Sequence, residues 1–402
     1  MNRIFLRWAV VLAIIAALPW SGVGEFGAAS EGVITVCPSD CVYTEIQQAI
    51  DEAPPGETVQ VEPGTYEENL VITKSLTLRG ATRDRVVIKG SEKGRPVILV
   101  RGEEPPTVSV RIEGLTITGG RAYCLYWPVC ADGILIRGTA QVTVVNNTIS
   151  DNGWGGIAVW DGAQVTIEGN LLLANRRSHI GLWGSTQATI QGNQILNNGD
   201  DGIVLRNSAR ATIEGNRISG NVYGIKLRDF AQATISGNSI VDNGWDGLEL
   251  WNAAQAVITD NRISGNGRGG LQLRDFAWAS IVRNRISDNG EDGIVLWRSA
   301  QATLANNTVS HNRNGILLGR SLEGETTPGS EVSLKLWGNE VFANRDWGVA
   351  IYTEACGFAG GSQAFGGIIQ GSENRIYDNG RGDLCPPYPG PPWPEGFVKG
   401  PE

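Results

Sequence analysis

Residues Ala211–Ala231 read ATIEGNRISGNVYGIKLRDFA, and from Thr234 the phrase returns as TISGNSIVDNGWDGLELWNAA. Its apolar residues alternate with period two in short runs, with Ile213 and Ile218, then Ile225 and Leu227, and glycine or asparagine closes every run. No helix fits between breakers three to five residues apart, so the runs are strands. The first asparagine of the unit stands at 147, 170, 193, 216, 238, 261, 284 and 307, a step of 23 residues with one of 22. A second set runs 152, 175, 198, 221, 243, 266, 289 and 312, and two looser coils carry theirs at 339 and 344, then 374 and 379.

Three short strands per unit, with no crossover helix between them, bury one face only if the chain winds and each strand pairs in parallel with its equivalent one coil later. The expectation is an all-β solenoid, a single-stranded parallel β-helix of roughly ten to twelve coils. Coils about 4.8 Å apart turn each position of the unit into a column of like residues. The isoleucine columns form the core. An asparagine column can bond amide to amide along the stack, which carboxylates cannot do without repulsion. The competing reading makes these asparagines N-glycosylation acceptors, as at Asn147 in NTIS, on the same corners.

The ends of the chain set the remaining boundaries. Arg3 and Arg7 precede an apolar run from Trp8 to Leu18, the pattern of a secretory signal over residues 1–30, with an uncleaved anchor as the alternative. Residues 31–80 hold the cap and first strands, 81–384 the β-helix and 385–402 a tail with seven prolines, which lies on the last coil or trails from it. Thr44 and Gln47 form a capping-box pattern before a short helix whose Ile46, Ala49 and Ile50 cover the open core. Six cysteines in an exported chain read as disulfides: Cys37 with Cys41, Cys124 with Cys130, and Cys356 with Cys385. A metal site at CPSDC lacks a completing pair.

The formal charge is −9, with no lysine or arginine block, which excludes a phosphate-backbone binder, so nucleic acid is not a partner. No later apolar stretch spans a membrane after signal cleavage, and the chain is expected as a monomer outside the cytoplasm: secreted, periplasmic or at the cell surface.

YTEIQQAIDEAPPGETVQVEPGTYEENLVITKSLTLRG resembles the opening segment of secreted right-handed β-helix proteins of the pectate-lyase-like superfamily. The repeats N-x-I-x-x-N-x-x-x-G-I-x-L resemble the carbohydrate-binding and sugar-hydrolase repeats of that group, over about residues 33–384. The resemblance implies a right-handed coil. It does not imply one activity: the G-x-Q-D-T-L-Y of pectin methylesterases and the D-P-H-E of epimerases are missing, and of the polygalacturonase set only Asp200-Asp201 matches. With His179 and His311 the only histidines and Met1 the only methionine, a copper-maturation role is disfavoured.

Function must therefore sit in the varied positions. The outward column after the third strand reads Trp160, Trp183, Arg206, Arg228, Trp251, Arg274 and Trp297, and the other outward position reads Ala158, Gly181, Val204, Lys226, Glu249, Gln272 and Val295. Indoles stack on sugar rings and guanidinium forks pair with carboxylates, so Trp160, Trp183, Arg206, Trp251, Arg274 and Trp297 are expected to bind a polysaccharide, an acidic one. The plainer reading is that these residues stack on one another and need no ligand.

If there is chemistry, its expected seat is the middle of the stripe, with Lys226 or Arg228 as a lyase base and calcium on Asp201, Asp246 and Glu249 holding the enediolate. Alternatively Asp246 and Glu249 serve as a hydrolase pair. Insertions at 121–130, 321–331 and 353–367 flank this face. A non-catalytic structural or adhesive rod is the third reading, and an ice-binding face on outward threonines is discounted because Glu168, Gln191 and Glu214 charge it.

Overall fold

The computed structural model describes residues 32–103, 107–120, 130–320, 332–358, 367–387 and 392–398. The expected signal over 1–30, the insertion 321–331 and most of the insertions 121–130 and 353–367 lie outside them. No helix among the described residues is long and apolar enough to cross a membrane.

The chain winds into a parallel β-helix. Three parallel sheets run its length, of 14, 13 and 13 strands, and every coil gives one strand to each in turn. Arg210–Glu214, Arg217–Ser219 and Tyr223–Leu227 form one such coil. Thirteen coils exceed the ten to twelve expected, because the coils before Gln141 lack the asparagine corners that mark the rest. The register follows the 23-residue step, with Ile190 beside Ile213, Ile213 beside Ile235 and Ile235 beside Ile258. These isoleucines are fully buried, and at about 2 kcal/mol for each buried aliphatic side chain every coil stabilises its neighbours.

Both asparagine sets are ladders. In the first, each Nδ2 donates to Oδ1 of the asparagine one coil on at 2.9–3.1 Å, from Asn147 through to Asn374. The same oxygen also accepts a backbone N–H, as Asn284 Oδ1 does from Asn261. Asn147 is fully buried in this ladder, so the reading of Asn147 as a glycan acceptor is overturned for the folded chain.

The second ladder breaks on either side of Asn198. From Gly133 to Gly348 the other coils place glycine before the third strand, and a Cβ at Gly202 would crowd the Asn221 amide at 3.1 Å. His179 fills that slot. Its Nδ1 takes the Asn175 amide at 2.9 Å, its Nε2–H donates to Leu196 O at 3.0 Å, and Asn198 turns to the Asp201 carbonyl instead. Burial holds the imidazole neutral, with its pKa lowered to about 3.

The N-terminal helix, Ile46–Glu52, buries Ile46, Ala49 and Ile50 on the open end of the core as expected. The capping box is corrected: Glu45 occupies the N-cap without a side-chain bond. The Glu68 carboxylate instead accepts the N–H groups of Ile46 and Gln47 at 2.8 and 2.9 Å, a cap supplied from the first coil. Gln47 reaches that coil at the Val71 backbone. At the other end, Trp393 and Phe397 of the tail are buried and stacked, and the Asn374 amide donates to Phe397 O at 3.0 Å, so this part of the tail closes the core.

Disulfides join Cys37 to Cys41 and Cys356 to Cys385. Cys130 is also disulfide-bonded, while Cys124 lies outside the described residues.

Candidate functional site

The outer face of the third sheet divides into three zones, decided by the residue in the middle of each strand. Toward the C-terminal end Val295, Leu317 and Ala350 are apolar, and the disulfide Cys356–Cys385 with Trp347, Tyr352 and Phe358 covers them as a second small core. Trp297 belongs to this cluster and is 5% exposed, too deep to meet a polymer.

In the middle zone Lys226, Glu249 and Gln272 are long and polar, yet all are buried. Lys226 Nζ lies 2.7 Å from Asp201 Oδ1 and 3.3 Å from the Tyr223 ring centre. Gln272 donates to Asp246 Oδ1 at 2.7 Å and accepts from Arg274 at 2.7 Å, and Arg274 Nε is 3.3 Å from Glu249 Oε1. Over this layer runs a ladder of alternating cation and indole: Arg228 on Trp251 at 4.6 Å, Arg274 on Trp251 at 4.8 Å, and Arg274 on Trp297 at 4.4 Å. The ring faces are used between coils.

This arrangement displaces the expected catalytic centre. Lys226, Asp246 and Glu249 lie beneath the ladder, and Arg228 is held against Trp251. The calcium set Asp201, Asp246 and Glu249 does not gather either: among the described residues no three His, Cys, Asp or Glu side chains are placed to hold a metal ion. Each of the three carboxylates faces a cation or amide donor of its own. They do not fit calcium, and no step is routed through it.

The first zone differs because its middle residues are small. Ala158, Gly181 and Val204 are themselves buried and the Trp183 indole lies against Gly181, and a cleft of about 490 Å³ is lined by Ala158 and Val204 together with larger side chains at its rim. One wall is Trp160, Trp183 and Arg206 from the expected stripe, and the other is Trp154, Arg177 and Asp200 from the corner before the strand. Trp160 and Trp183 stack at 4.6 Å with their planes 6° apart. Arg177 covers Trp154 at 5.0 Å and faces Asp200 at 3.6 Å. Arg206 is half-buried, and among the described residues its guanidinium has no ion pair or ring partner.

Asp132 also lines this cleft, and the sequence reading missed it. It is 1% exposed, and its Oδ1 accepts the Gly155 N–H at 2.9 Å. Asp201, Asp246 and Asp292 occupy the same column, and each has a side-chain donor: Lys226, Gln272, and Arg313 with Asn314. Asp132 has none among the described residues. Burial therefore raises its pKa to about 7, against the opposing pull of the Gly155 N–H. At Asp201 burial also outweighs Lys226, and the pKa is raised. A carboxyl that holds its proton near neutrality is a proton donor or acceptor in place. Its position before the strand was legible, since Asp201, Asp246 and Asp292 mark that column.

Comparison with known proteins places this architecture. The Right handed beta helix region family matches residues 65–229 and 178–324, more than half of the chain. The A-module of mannuronan C-5 epimerase AlgE4 from Azotobacter vinelandii superposes with a TM-score of 0.65 at 19% identity, over 81% of this chain and 96% of that one. The Dettilon tailspike protein superposes with a TM-score of 0.56 at 14% identity, over 88% and 68%. A curated relative, a cell surface glycoprotein of Methanothermus fervidus, is 27% identical over 153 residues, 37% of this chain and 22% of that protein. The chain thus spans about a fifth of the length of the relative it matches. The coil geometry and the family match agree: the chain belongs to the right-handed β-helix family.

Proposed function

We propose that the chain is an exported protein that seats an acidic polysaccharide in the cleft on its third sheet. The observation that carries this reading is the conjunction of small residues beneath the cleft, a wall of indoles and Arg206, which has no ion pair or ring partner among the described residues. A sugar ring fits against the Trp154 and Trp183 edges of the cleft, and a carboxylate or sulfate on it neutralises Arg206. The stripe reading is thereby narrowed to Trp160, Trp183 and Arg206, which line the cleft, whereas Trp251 and Arg274 stand over the buried layer and Trp297 is buried.

Proton transfer to or from the bound sugar, if the cleft is catalytic, falls to Asp132, the titratable group best placed for it. The test is a screen of the purified, disulfide-intact chain against polyuronates, glycosaminoglycans and neutral glucans, reading binding, reducing ends and unsaturated uronate absorbance. Binding of an acidic glycan alone supports recognition. Product that disappears in Asp132→Asn establishes an enzyme, and silence in every assay sinks the reading.

A structural rod at the cell surface is the second reading. It is favoured by the match to the cell surface glycoprotein and by the two closed ends of the solenoid, which stop coils of different molecules from stacking. A rod predicts no glycan binding at all.

A further inference from the structure

The residue before the first ladder asparagine sits on the corner between the first and second sheets in left-handed backbone. Half of the ladder coils place glycine there: Gly169, Gly192, Gly215, Gly237 and Gly338. Asp260, Arg283 and Glu373 depart from glycine, and Asp260 and Arg283 bond to each other at 2.8 Å. Asn146 and Asn306 depart as well, with φ of 54° and 55°, and both are exposed. Among the described residues neither side-chain amide has a hydrogen-bond partner, whereas each neighbouring ladder asparagine, Asn147 and Asn307, is fully engaged. The next coil carries glycine over both: a Cβ at Gly169 would meet Asn146 Oδ1 at 2.9 Å, and one at Gly338 would meet Asn306 Oδ1 at 2.6 Å. Bare backbone thus leaves each amide room.

Asn146-Asn147-Thr148 and Asn306-Asn307-Thr308 are the two places where the sequence reads Asn-X-Ser/Thr, the N-glycosylation acceptor pattern. The acceptor is therefore the exposed residue one position before the ladder, not the ladder residue itself. We propose that Asn146 and Asn306 are paired N-glycosylation sites of the exported chain. The donor is an oligosaccharide linked through phosphate to a lipid, acted on by a transferase on the export path. The asparagine Nδ2 forms a bond to the anomeric carbon, the bond from that carbon to the lipid phosphate oxygen breaks, the lipid phosphate leaves, and the amide proton goes to the transferase base. Seven coils separate the sites, about 34 Å at the inter-strand spacing. Both lie on one corner, away from the third sheet, so glycans there leave the cleft clear. The inference rests on export, not on the cleft.

The test is secretion of the full chain from a yeast host under the host's own leader, so that a failure of the native leader is not read as a failure of the sites. Peptides are then mapped by mass spectrometry before and after amidase release of N-glycans. The expected result is glycan at Asn146 and at Asn306, with Thr148→Val abolishing the first alone and Thr308→Val the second alone. Unmodified asparagine at either position in the secreted, folded chain overturns the assignment there, and glycan on Asn147 or Asn307 overturns the register.

Discussion

The indole of Trp183 lies over Gly181, its neighbour two residues back on the same strand, and leaves no room for a Cβ there. Trp160, one coil earlier, stacks face to face on that indole. The missing side chain at 181 thus makes room for the tryptophan wall. Gly181→Val is expected to evict Trp183, break a stack worth about 1 kcal/mol beyond its buried area, and weaken glycan binding while the coils remain. Loss of the indole–indole signal in near-ultraviolet circular dichroism, with far-ultraviolet signal retained, checks it.

Lys226 and Asp201 are both about 5% exposed at the side chain and pair at 2.7 Å. Lys226→Met strands a buried carboxylate and is expected to destabilise the fold by about 3–5 kcal/mol. The double variant Lys226→Met with Asp201→Leu should regain most of that loss in urea titrations. Equal stability of single and double variants would show that the pair does not sustain the middle layer.

The raised pKa of Asp132, about 7, gives a signed pH dependence. Between the ordinary carboxylate range near 4 and about 7 the folded state holds a proton that the unfolded state releases, so unfolding free energy falls as pH rises through this window. Asp246, raised to about 6 by burial, adds in the same direction. Asp132→Asn keeps an acceptor for the Gly155 N–H and removes the ionisation, so its stability advantage over wild type should grow from pH 4 to pH 7. Thermal melts across that range measure it. Because protonation also removes a negative charge from the cleft, anionic glycan should bind wild type more tightly below pH 7 than above it.

A ladder asparagine is expected to matter more than an isolated surface amide. Asn261→Ala removes donors and acceptors that reach Ile235, Thr259, Asn238 and Asn284, and leaving these buried groups unpaired costs about 3 kcal/mol or more. Hydrogen exchange should show lost protection confined to the coils on either side, since a solenoid transmits little beyond its nearest neighbours.

Much of this fold is written in the repeat. The period-two runs and asparagine columns specify strands, coil and register, because each column must match the one above it. Coil number was underestimated where asparagine gives way to Gly80, Gly114 and other corners. The cap at Glu68 was hidden because a contact 22 residues away has no local signature. At the candidate site the identities of the stripe were legible, but its use was not. Ala158 and Gly181 are small in one zone while Lys226 and Glu249 fill the next, and only side-chain volume within a column separates a cleft from a buried layer. Asp132 escaped notice because its isolation depends on which partners the neighbouring coils fail to supply.

The most direct test of the cleft is calorimetric titration of a short oligouronate into wild type, Arg206→Gln and Arg274→Gln. Arg206 lines the cleft and has no ion pair or ring partner among the described residues, whereas Arg274 is locked between Trp251 and Trp297. Removing a charge-assisted contact of about 1.5–3 kcal/mol should weaken binding at least tenfold in Arg206→Gln, with Arg274→Gln close to wild type once folding is confirmed. Unchanged affinity in Arg206→Gln, or a larger loss in a folded Arg274→Gln, would contradict the assignment of the cleft as the glycan site.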